Sequence, residues 1–158
     1  MEKHIALKTA TNTITEGLRF SGSSRTVTDA HFLFFSAISG DTGRSHMDAE
    51  YSKHTRLGKP SAHGLFVLGL TALGASHLKD RPPGWVFVEQ GCRFLKPTVE
   101  GDTLRPEFEI EKIWEEGHRT FCRIKVWVTN QKNESVLEGF HLYRIIPLKD
   151  DPNTPAQV

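Results

Sequence analysis

An aspartate and a histidine five positions apart, Asp41 and His46, are the residues whose types and spacing could perform chemistry. Residues five apart on an ideal helix point in different directions, because each residue turns the helix by about 100°. Gly40 and Gly43 lie in the same segment, and glycine tolerates backbone angles that other residues avoid. We therefore predict a loop in which both side chains converge. A carboxylate and an imidazole directed at one water molecule form a general acid–base pair.

Asp41 and His46 also have a purely structural interpretation. Aspartate is common in turns because its side chain accepts hydrogen bonds from nearby backbone amides. A loop histidine can hydrogen-bond the backbone in the same way. The residue types alone do not decide between an acid–base pair and a structural turn. The surrounding sequence has to decide between these two interpretations.

Helices are predicted on the amino-terminal side of a boundary at 81–84, where Arg-Pro-Pro-Gly clusters turn-forming residues. One helix is predicted over 30–38 after a Thr-Asp cap, and a short one begins at Asp48. The segment 62–78 is apolar on nearly every side. It is therefore predicted to be a long core helix that other elements must surround.

Strands are predicted on the carboxyl-terminal side of that boundary, over 85–95, 103–114, 119–129 and 135–146. In the third strand apolar and polar residues alternate, which places Cys122, Ile124, Val126 and Val128 on a buried face. Turn residues at 116–117 and 130–133 favour hairpins, and hence a meander, with 25–28 as an added strand. The predicted fold class is α+β, with a curved antiparallel sheet wrapped around a long central helix.

Length and composition limit the classes of function. With 158 residues and 37% apolar content, one globular domain is expected. We divide the chain into a lead-in over 1–24, the domain over 25–147 and a polar tail over 148–158. A net charge of +1 with scattered basic residues argues against a nucleic-acid partner.

Two further features concern the cellular setting. The longest apolar stretch is too short and too often interrupted for a membrane span, and the first twenty residues lack the apolar core of a signal peptide. Cys92 and Cys122 lie in alternating runs without a CxxC pattern. Free thiols in a reducing compartment, and hence a cytoplasmic location, are expected.

Three blocks of sequence follow one another along the chain. The first, 35–52, contains GDTGRSH after an aromatic-rich helix; the second is Ala-His-Gly at 62–64; the third is FLKPTVEGDTL at 94–104. Together they resemble the MaoC-like, (R)-specific enoyl-CoA hydratases of the hotdog fold, with a helical overhang segment. In that family a GDxNPxH core, an AHG block and an FxxPVxxGDxL block occur in this order. Ser52 also matches, as the small residue six places after the histidine.

The resemblance implies a catalytic role for Asp41 and His46. They would activate one water for addition to a trans-2-enoyl thioester of coenzyme A or an acyl carrier. The amide of Gly64, at the amino end of the core helix, is a candidate donor to the enolate oxygen that forms. His63 beside it is a candidate substrate-binding residue. No metal or redox cofactor is implied, and a homodimer or higher oligomer is expected.

The sequence also departs from the family pattern. Gly43 stands where the family usually has Asn, Arg44 where it has Pro, Ser45 where it has an aliphatic residue, and Gly69 where many relatives carry Ser. The departures concern the substrate more than the acid–base pair. A non-catalytic acyl-thioester-binding subunit therefore stays open as an alternative.

Two other functions rank lower. A hotdog thioesterase usually relies on an acidic residue on or near the central helix, and 62–78 contains neither Asp nor Glu. The eight histidines form no HxH or HExxH pair, so no metal site is predicted.

Overall fold

The computed structural model describes residues 5–8, 13–78, 81 and 84–146. The strands and helices, in chain order, are β1 (Leu7–Lys8), β2 (Thr13–Ile14), β3 (Arg19–Ser21), β4 (Arg25–Thr26), α1 (Asp29–Ser39), α2 (Arg44–Met47), α3 (Ala49–Lys53), α4 (Gly64–Gly69), a 3-10 helix (Leu73–Ala75), β5 (Trp85–Phe94), β6 (Thr103–Glu116), β7 (Arg119–Thr129) and β8 (Ser135–Ile145). Among these described residues no helix is both long and apolar enough to cross a membrane.

The main sheet is antiparallel, and its strands lie in the order β3-β6-β7-β8-β5, with β4 paired to β6 beside β3. The alternation predicted for β7 is confirmed, because its four inward side chains are fully buried: Cys122, Ile124, Val126 and Val128. The buried residues form two clusters, one around Phe108 and Ile124 and one around Val67 and Leu137. The second cluster includes Val67 of α4 and Phe32 of α1, so it packs both helices against the sheet.

The predicted meander is correct for β6, β7 and β8 but wrong for β5. That strand pairs with β8, from Trp85 opposite Ile145 to Phe94 opposite Leu137, rather than with its successor β6. The outer side of β6 is occupied by β3 and β4. The connection between Phe94 and Thr103 is also longer than a typical hairpin loop, so the chain can cross to the opposite edge.

Residues before position 25 contribute to the sheet and its core. In β3, Phe20 pairs with Phe108, and their rings stack at 4.9 Å. Ile14 is 1% exposed and belongs to the cluster around Phe108. The division at residue 25 therefore does not coincide with the edge of the sheet. The polar tail predicted over 148–158 lies outside the described residues.

The central helix is shorter than predicted. Of the segment 62–78, only Gly64–Gly69 is α-helical, and a turn and the 3-10 helix follow. Glycine is a weak helix former, and Gly69 and Gly74 occur within this stretch. The hydroxyl of Thr71 also donates to the carbonyl of Leu68 at 2.6 Å, a local side-chain bond that competes with helix continuation.

Three short helices form the overhang before α4, two of which were predicted. The ring Nδ1 of His31 accepts from the Thr28 amide at 3.0 Å at the start of α1, which ends at Gly40 with φ of 77°. Asp48 caps α3 by accepting from the Tyr51 amide at 2.8 Å. The four-residue α2 lies within the segment predicted to be a loop.

Candidate active site

Asp41 and His46 converge, as the loop prediction required. Asp41 follows the left-handed turn at Gly40, and His46 is the third residue of α2. A carboxylate oxygen of Asp41 and ring nitrogens of His46 and His63 lie within 4.8 Å of one another. This spacing allows one water to bridge the carboxylate and an imidazole, because each hydrogen bond is about 2.8 Å long.

The hydrogen bonding of His46 determines which ring nitrogen is free. Its Nδ1 lies 2.7 Å from the carbonyl oxygen of Ser61. A carbonyl oxygen only accepts, so Nδ1 carries the proton. In the neutral ring Nε2 is then an unprotonated acceptor. His46 is half-buried, and this tautomer is the one a general base requires.

Gly43 lets Asp41 and His46 approach each other. Its amide donates to Oδ1 of Asp41 at 3.2 Å. A Cβ atom at position 43 would lie 3.3 Å from that Oδ1 and 3.4 Å from Cδ2 of His46. The first distance is tighter than ordinary contact and the second is at its lower limit, so in this conformation a side chain would lie close against both residues of the pair. The departure from the family's Asn is thus compatible with the pair's geometry.

His63 lies behind the pair rather than at the surface. It is 2% exposed, and its ring stacks on that of His46 with centroids 3.9 Å apart. Its Nε2 is 3.0 Å from the backbone carbonyl oxygen of Asp41, so Nε2 carries a proton and donates. The expected contact of His63 with substrate stays a prediction, and its burial favours a supporting role.

Ser36 is a buried polar residue that the sequence reasoning missed. Its hydroxyl lies 3.2 Å from Nε2 of His63 and donates to Sδ of Met47 at 3.2 Å. It therefore connects α1 to both His63 and the residue after His46. The helical spacing of the sequence could have identified Ser36, because it lies four residues after the buried Phe32 and therefore on the same, inner face of α1.

The same cluster could be considered as a metal site. Asp41, His46 and His63 are the one group of possible ligands found in the described part of the chain. The two rings, however, are stacked and inclined by only 25°, so their lone pairs lie in nearly parallel planes. Metal ligands have to point at one ion, and His63 Nε2 already donates to Asp41. The arrangement does not fit a shared metal.

Gly64 is the first residue of α4, so its amide has no acceptor one turn earlier within that helix. A Cβ at this position would lie 3.0 Å from Cζ of Phe94, so glycine lets the aromatic ring approach the backbone. A cavity of about 220 Å³ borders Gly64 and Phe94. Because α4 has only six residues, the amide itself matters more here than a helix dipole.

The cavity beside Gly64 is separate from the one beside His46. The latter measures about 510 Å³ and lies between α1, α2 and Pro60. The two cavities have no lining residue in common.

The two cysteines are free, and neither is suited to act as a nucleophile. Burial raises the pKa of the Cys122 thiol to about 12, and it also raises the pKa of Cys92. The reactive form of cysteine is the thiolate.

The curved antiparallel sheet and its helical overhang define a hotdog-fold protein, and solved structures of this fold resemble it closely. The structure of a monoamine oxidase regulatory protein from Archaeoglobus fulgidus is 27% identical, with a TM-score of 0.74, and the match covers 85% of this chain and 92% of that one. An unliganded R-hydratase from Pseudomonas aeruginosa is 23% identical, with a TM-score of 0.73, over 92% and 93% of the two chains.

The family model described as a MaoC like domain matches residues 10–135. The chain therefore belongs to the MaoC-like domain family. Among curated proteins, the (R)-specific enoyl-CoA hydratase of Rhodospirillum rubrum is 28% identical over 82 residues, which is 51% of this chain. That match spans 56% of the hydratase.

Proposed function

We propose that this protein adds water across the C2–C3 double bond of a 2-enoyl-CoA thioester. In the reverse direction it eliminates water from the corresponding 3-hydroxyacyl thioester. The observation that carries the proposal is the convergence of the Asp41 carboxylate and the His46 ring, with a carboxylate oxygen and a ring nitrogen within 4.8 Å, together with the contact of His46 Nδ1 with the Ser61 carbonyl that leaves Nε2 unprotonated. Membership of the MaoC-like family supports it, as do relatives named as (R)-specific hydratases.

In the proposed reaction one water bridges Asp41 and His46. The pair accepts one proton as the water oxygen bonds to C3, and it returns a proton to C2. The product gains both parts of a single water molecule, and no electrons are exchanged. Such a reaction needs no redox cofactor, and positioned acid–base groups supply about 10² to 10⁴ in rate.

The negative charge of the transition state develops on the thioester oxygen. We assign its stabilisation to the Gly64 amide, the first of α4. One well-placed donor of this kind contributes roughly 2.7 to 4 kcal/mol. Both contributions are needed, because proton transfer and enolate formation occur in the same step.

His63 and Ser36 would hold the pair rather than contact substrate. His63 binds the Asp41 backbone and covers one face of His46, while Ser36 hydrogen-bonds His63 from α1. We assign His63 a positioning role in place of the substrate-binding role expected from the sequence.

We further propose that two copies of the chain form the working unit, in the cytoplasm. Strand β5 pairs with β8 on one side only, among the strands described. Its residues Val86, Phe87 and Val88 are 45%, 52% and 51% exposed. An exposed apolar edge favours pairing with a second sheet. A second copy could also complete the site, since separate cavities border Gly64 and His46.

The proposal is tested by following the absorbance of the enoyl thioester when the protein is added to a panel of 2-enoyl-CoAs. We expect turnover by the unaltered protein and almost none by His46→Gln. The matched control is His54→Gln, the same substitution at an exposed histidine at the end of α3, which should retain activity.

Two other results would contradict the proposal. Binding of enoyl-CoA by calorimetry without turnover would identify a non-catalytic acyl-thioester-binding subunit. Release of free coenzyme A thiol from acyl-CoA would instead identify a thioesterase.

A further inference from the structure

Met47 directly follows His46 and is the last residue of α2. It is 40% exposed, and it borders the cavity of about 510 Å³ beside His46. The sequence contains one other methionine, Met1. A methionine thioether is apolar, and oxidation converts it into a polar sulfoxide. The exposure of Met47 places its side chain within reach of a small oxidant.

The sulfur of Met47 has a buried polar partner. The hydroxyl of Ser36, a residue that is 4% exposed, donates to Sδ at 3.2 Å. The same hydroxyl oxygen lies 3.2 Å from Nε2 of His63. Because that nitrogen carries the ring proton, the Ser36 oxygen accepts from His63 and its own proton is directed at the sulfur. Sδ of Met47 is therefore the acceptor that the structure provides for a buried donor.

His63 connects this contact to the catalytic pair. Its Nε2 lies 3.0 Å from the backbone carbonyl oxygen of Asp41, and its ring stacks on that of His46 at 3.9 Å between centroids. The sulfur is thus linked to both members of the pair through two buried side chains. A chemical change at the sulfur displaces Ser36 first and His63 next.

The relevant change is the transfer of one oxygen atom from hydrogen peroxide to Sδ. The O–O bond breaks as the S–O bond forms, and the sulfur loses two electrons. The departing oxygen takes the proton of the transferred hydroxyl and leaves as water. The product is a sulfoxide in one of two epimers.

Neither epimer preserves the contact with Ser36. An oxygen directed at the hydroxyl does not fit, because an O–H···O hydrogen bond alone spans about 2.5 to 3.0 Å and the sulfur lies only 3.2 Å from Oγ. An oxygen directed away from Ser36 leaves an electron-poor sulfur, which is a weaker acceptor than a thioether sulfur. In both cases the buried hydroxyl loses its partner, which is costly.

We propose that Met47 is a site of oxidation by peroxides, and that its sulfoxide slows the reaction by displacing Ser36 and His63 behind the catalytic pair. The effect on rate rests on the proposed function, whereas the oxidation itself does not. Because the sulfoxide disturbs the support of the pair, it should lower kcat and leave KM nearly unchanged.

The two cysteines are poorer targets for the same oxidant. Burial raises the pKa of Cys92 and raises that of Cys122 to about 12. Susceptibility of cysteine to oxidation follows its thiolate character. Mild peroxide treatment therefore reaches Met47 before either thiol.

The experiment treats the full chain with dilute hydrogen peroxide, removes the peroxide with catalase and locates the added oxygen by peptide mass spectrometry. We expect Met47 to be oxidised in the folded protein, with a parallel loss of kcat of about fivefold on one 2-enoyl-CoA. Oxidation of Met47 only after unfolding in urea would overturn the inference. Full oxidation with unchanged kcat, or a rise in KM that accounts for the loss, would overturn it too.

Two variants test the contact between Met47 and Ser36. Met47→Leu has a similar volume but no sulfur, so its activity, whatever its starting value, should not respond to peroxide. In Ser36→Ala the sulfur should still be oxidised, but kcat should then change by less than about twofold, because the contact is already absent. A response that persists in Met47→Leu, or a fivefold loss in Ser36→Ala, would refute the assigned mechanism.

A failure of the proposed function is recognised separately. If no enoyl-CoA is turned over, urea denaturation before and after peroxide treatment measures the contact without catalysis. Oxidation should lower the urea midpoint of the unaltered protein more than that of Ser36→Ala, because only the unaltered protein loses the buried hydrogen bond. Equal shifts in the two proteins would refute the inference.

Discussion

The two ends of α4 present histidines in contrasting environments. At the amino end, Asp41 is exposed and His46 half-buried, so water can reach them. At the carboxyl end, His141 is 3% exposed, and desolvation lowers its pKa to about 4. The two environments differ in their access to water, which reaches the Asp41 and His46 side chains and is excluded from the His141 ring. One short helix separates these two environments.

The largest expected effect concerns the amino end. Asp41→Asn and His46→Gln should each lower kcat by about 10² to 10⁴. The double variant should lose little more than either single one, because groups that act on one water are not additive. Steady-state kinetics on one 2-enoyl-CoA provides the measurement. Multiplicative losses would show that the two side chains act independently.

The next effect concerns the carboxyl end and is a change in stability with pH. The pKa of His141 is lowered from 6.5 to about 4 in the folded chain, so the unfolded chain binds the extra proton first. The free energy of unfolding should therefore fall as the pH drops from about 6.5 to about 4, by up to about 3 kcal/mol.

Urea denaturation of the unaltered protein and of His141→Leu over this pH range checks that contribution. The variant should lose the part of the pH dependence that His141 causes. The ring of the neighbouring Tyr143, 6.1 Å from that of His141, does not titrate in this range, because its phenol has an ordinary pKa of 10.0 that burial raises further, to about 12. Identical pH profiles would contradict the environment assigned to His141.

A smaller effect is expected for the residue that supports the pair. His63→Ala removes the donor to the Asp41 carbonyl and should lower kcat by about tenfold, with KM nearly unchanged. His63→Gln can place an amide N–H near the position of Nε2 and should recover most of the activity. A parallel rise in KM would indicate direct contact with substrate instead.

The smallest effects compare the two glycines of α4. At Gly69 a Cβ meets nothing within 4 Å, so Gly69→Ala should stabilise the protein by about 0.4 to 1 kcal/mol. At Gly64 a Cβ would lie 3.0 Å from the Phe94 ring, so Gly64→Ala should lack this gain. Midpoints of urea unfolding distinguish the two. Equal stabilisation by the two substitutions would show that the Phe94 ring moves aside without a cost in free energy.

Strand periodicity predicted the sheet more accurately than composition predicted the helix. The bounds of β7 agree with the prediction at both ends, because alternation over eleven residues is a strong local signal. The predicted central helix was too long, because an apolar composition reports burial and not backbone conformation. The partner of β5 was missed because strand pairing depends on distant residues.

The sequence by itself determined which residues of β7 are buried, where two of the three overhang helices begin, and that Asp41 and His46 lie in a glycine-containing segment able to bring them together. These are local properties, set by side-chain period and backbone preference. Only the tertiary structure decided that His63 and Ser36 stand behind the pair, that β5 borders β8, and that His141 is buried. Those relations join residues far apart in the chain, and packing rather than local preference creates them.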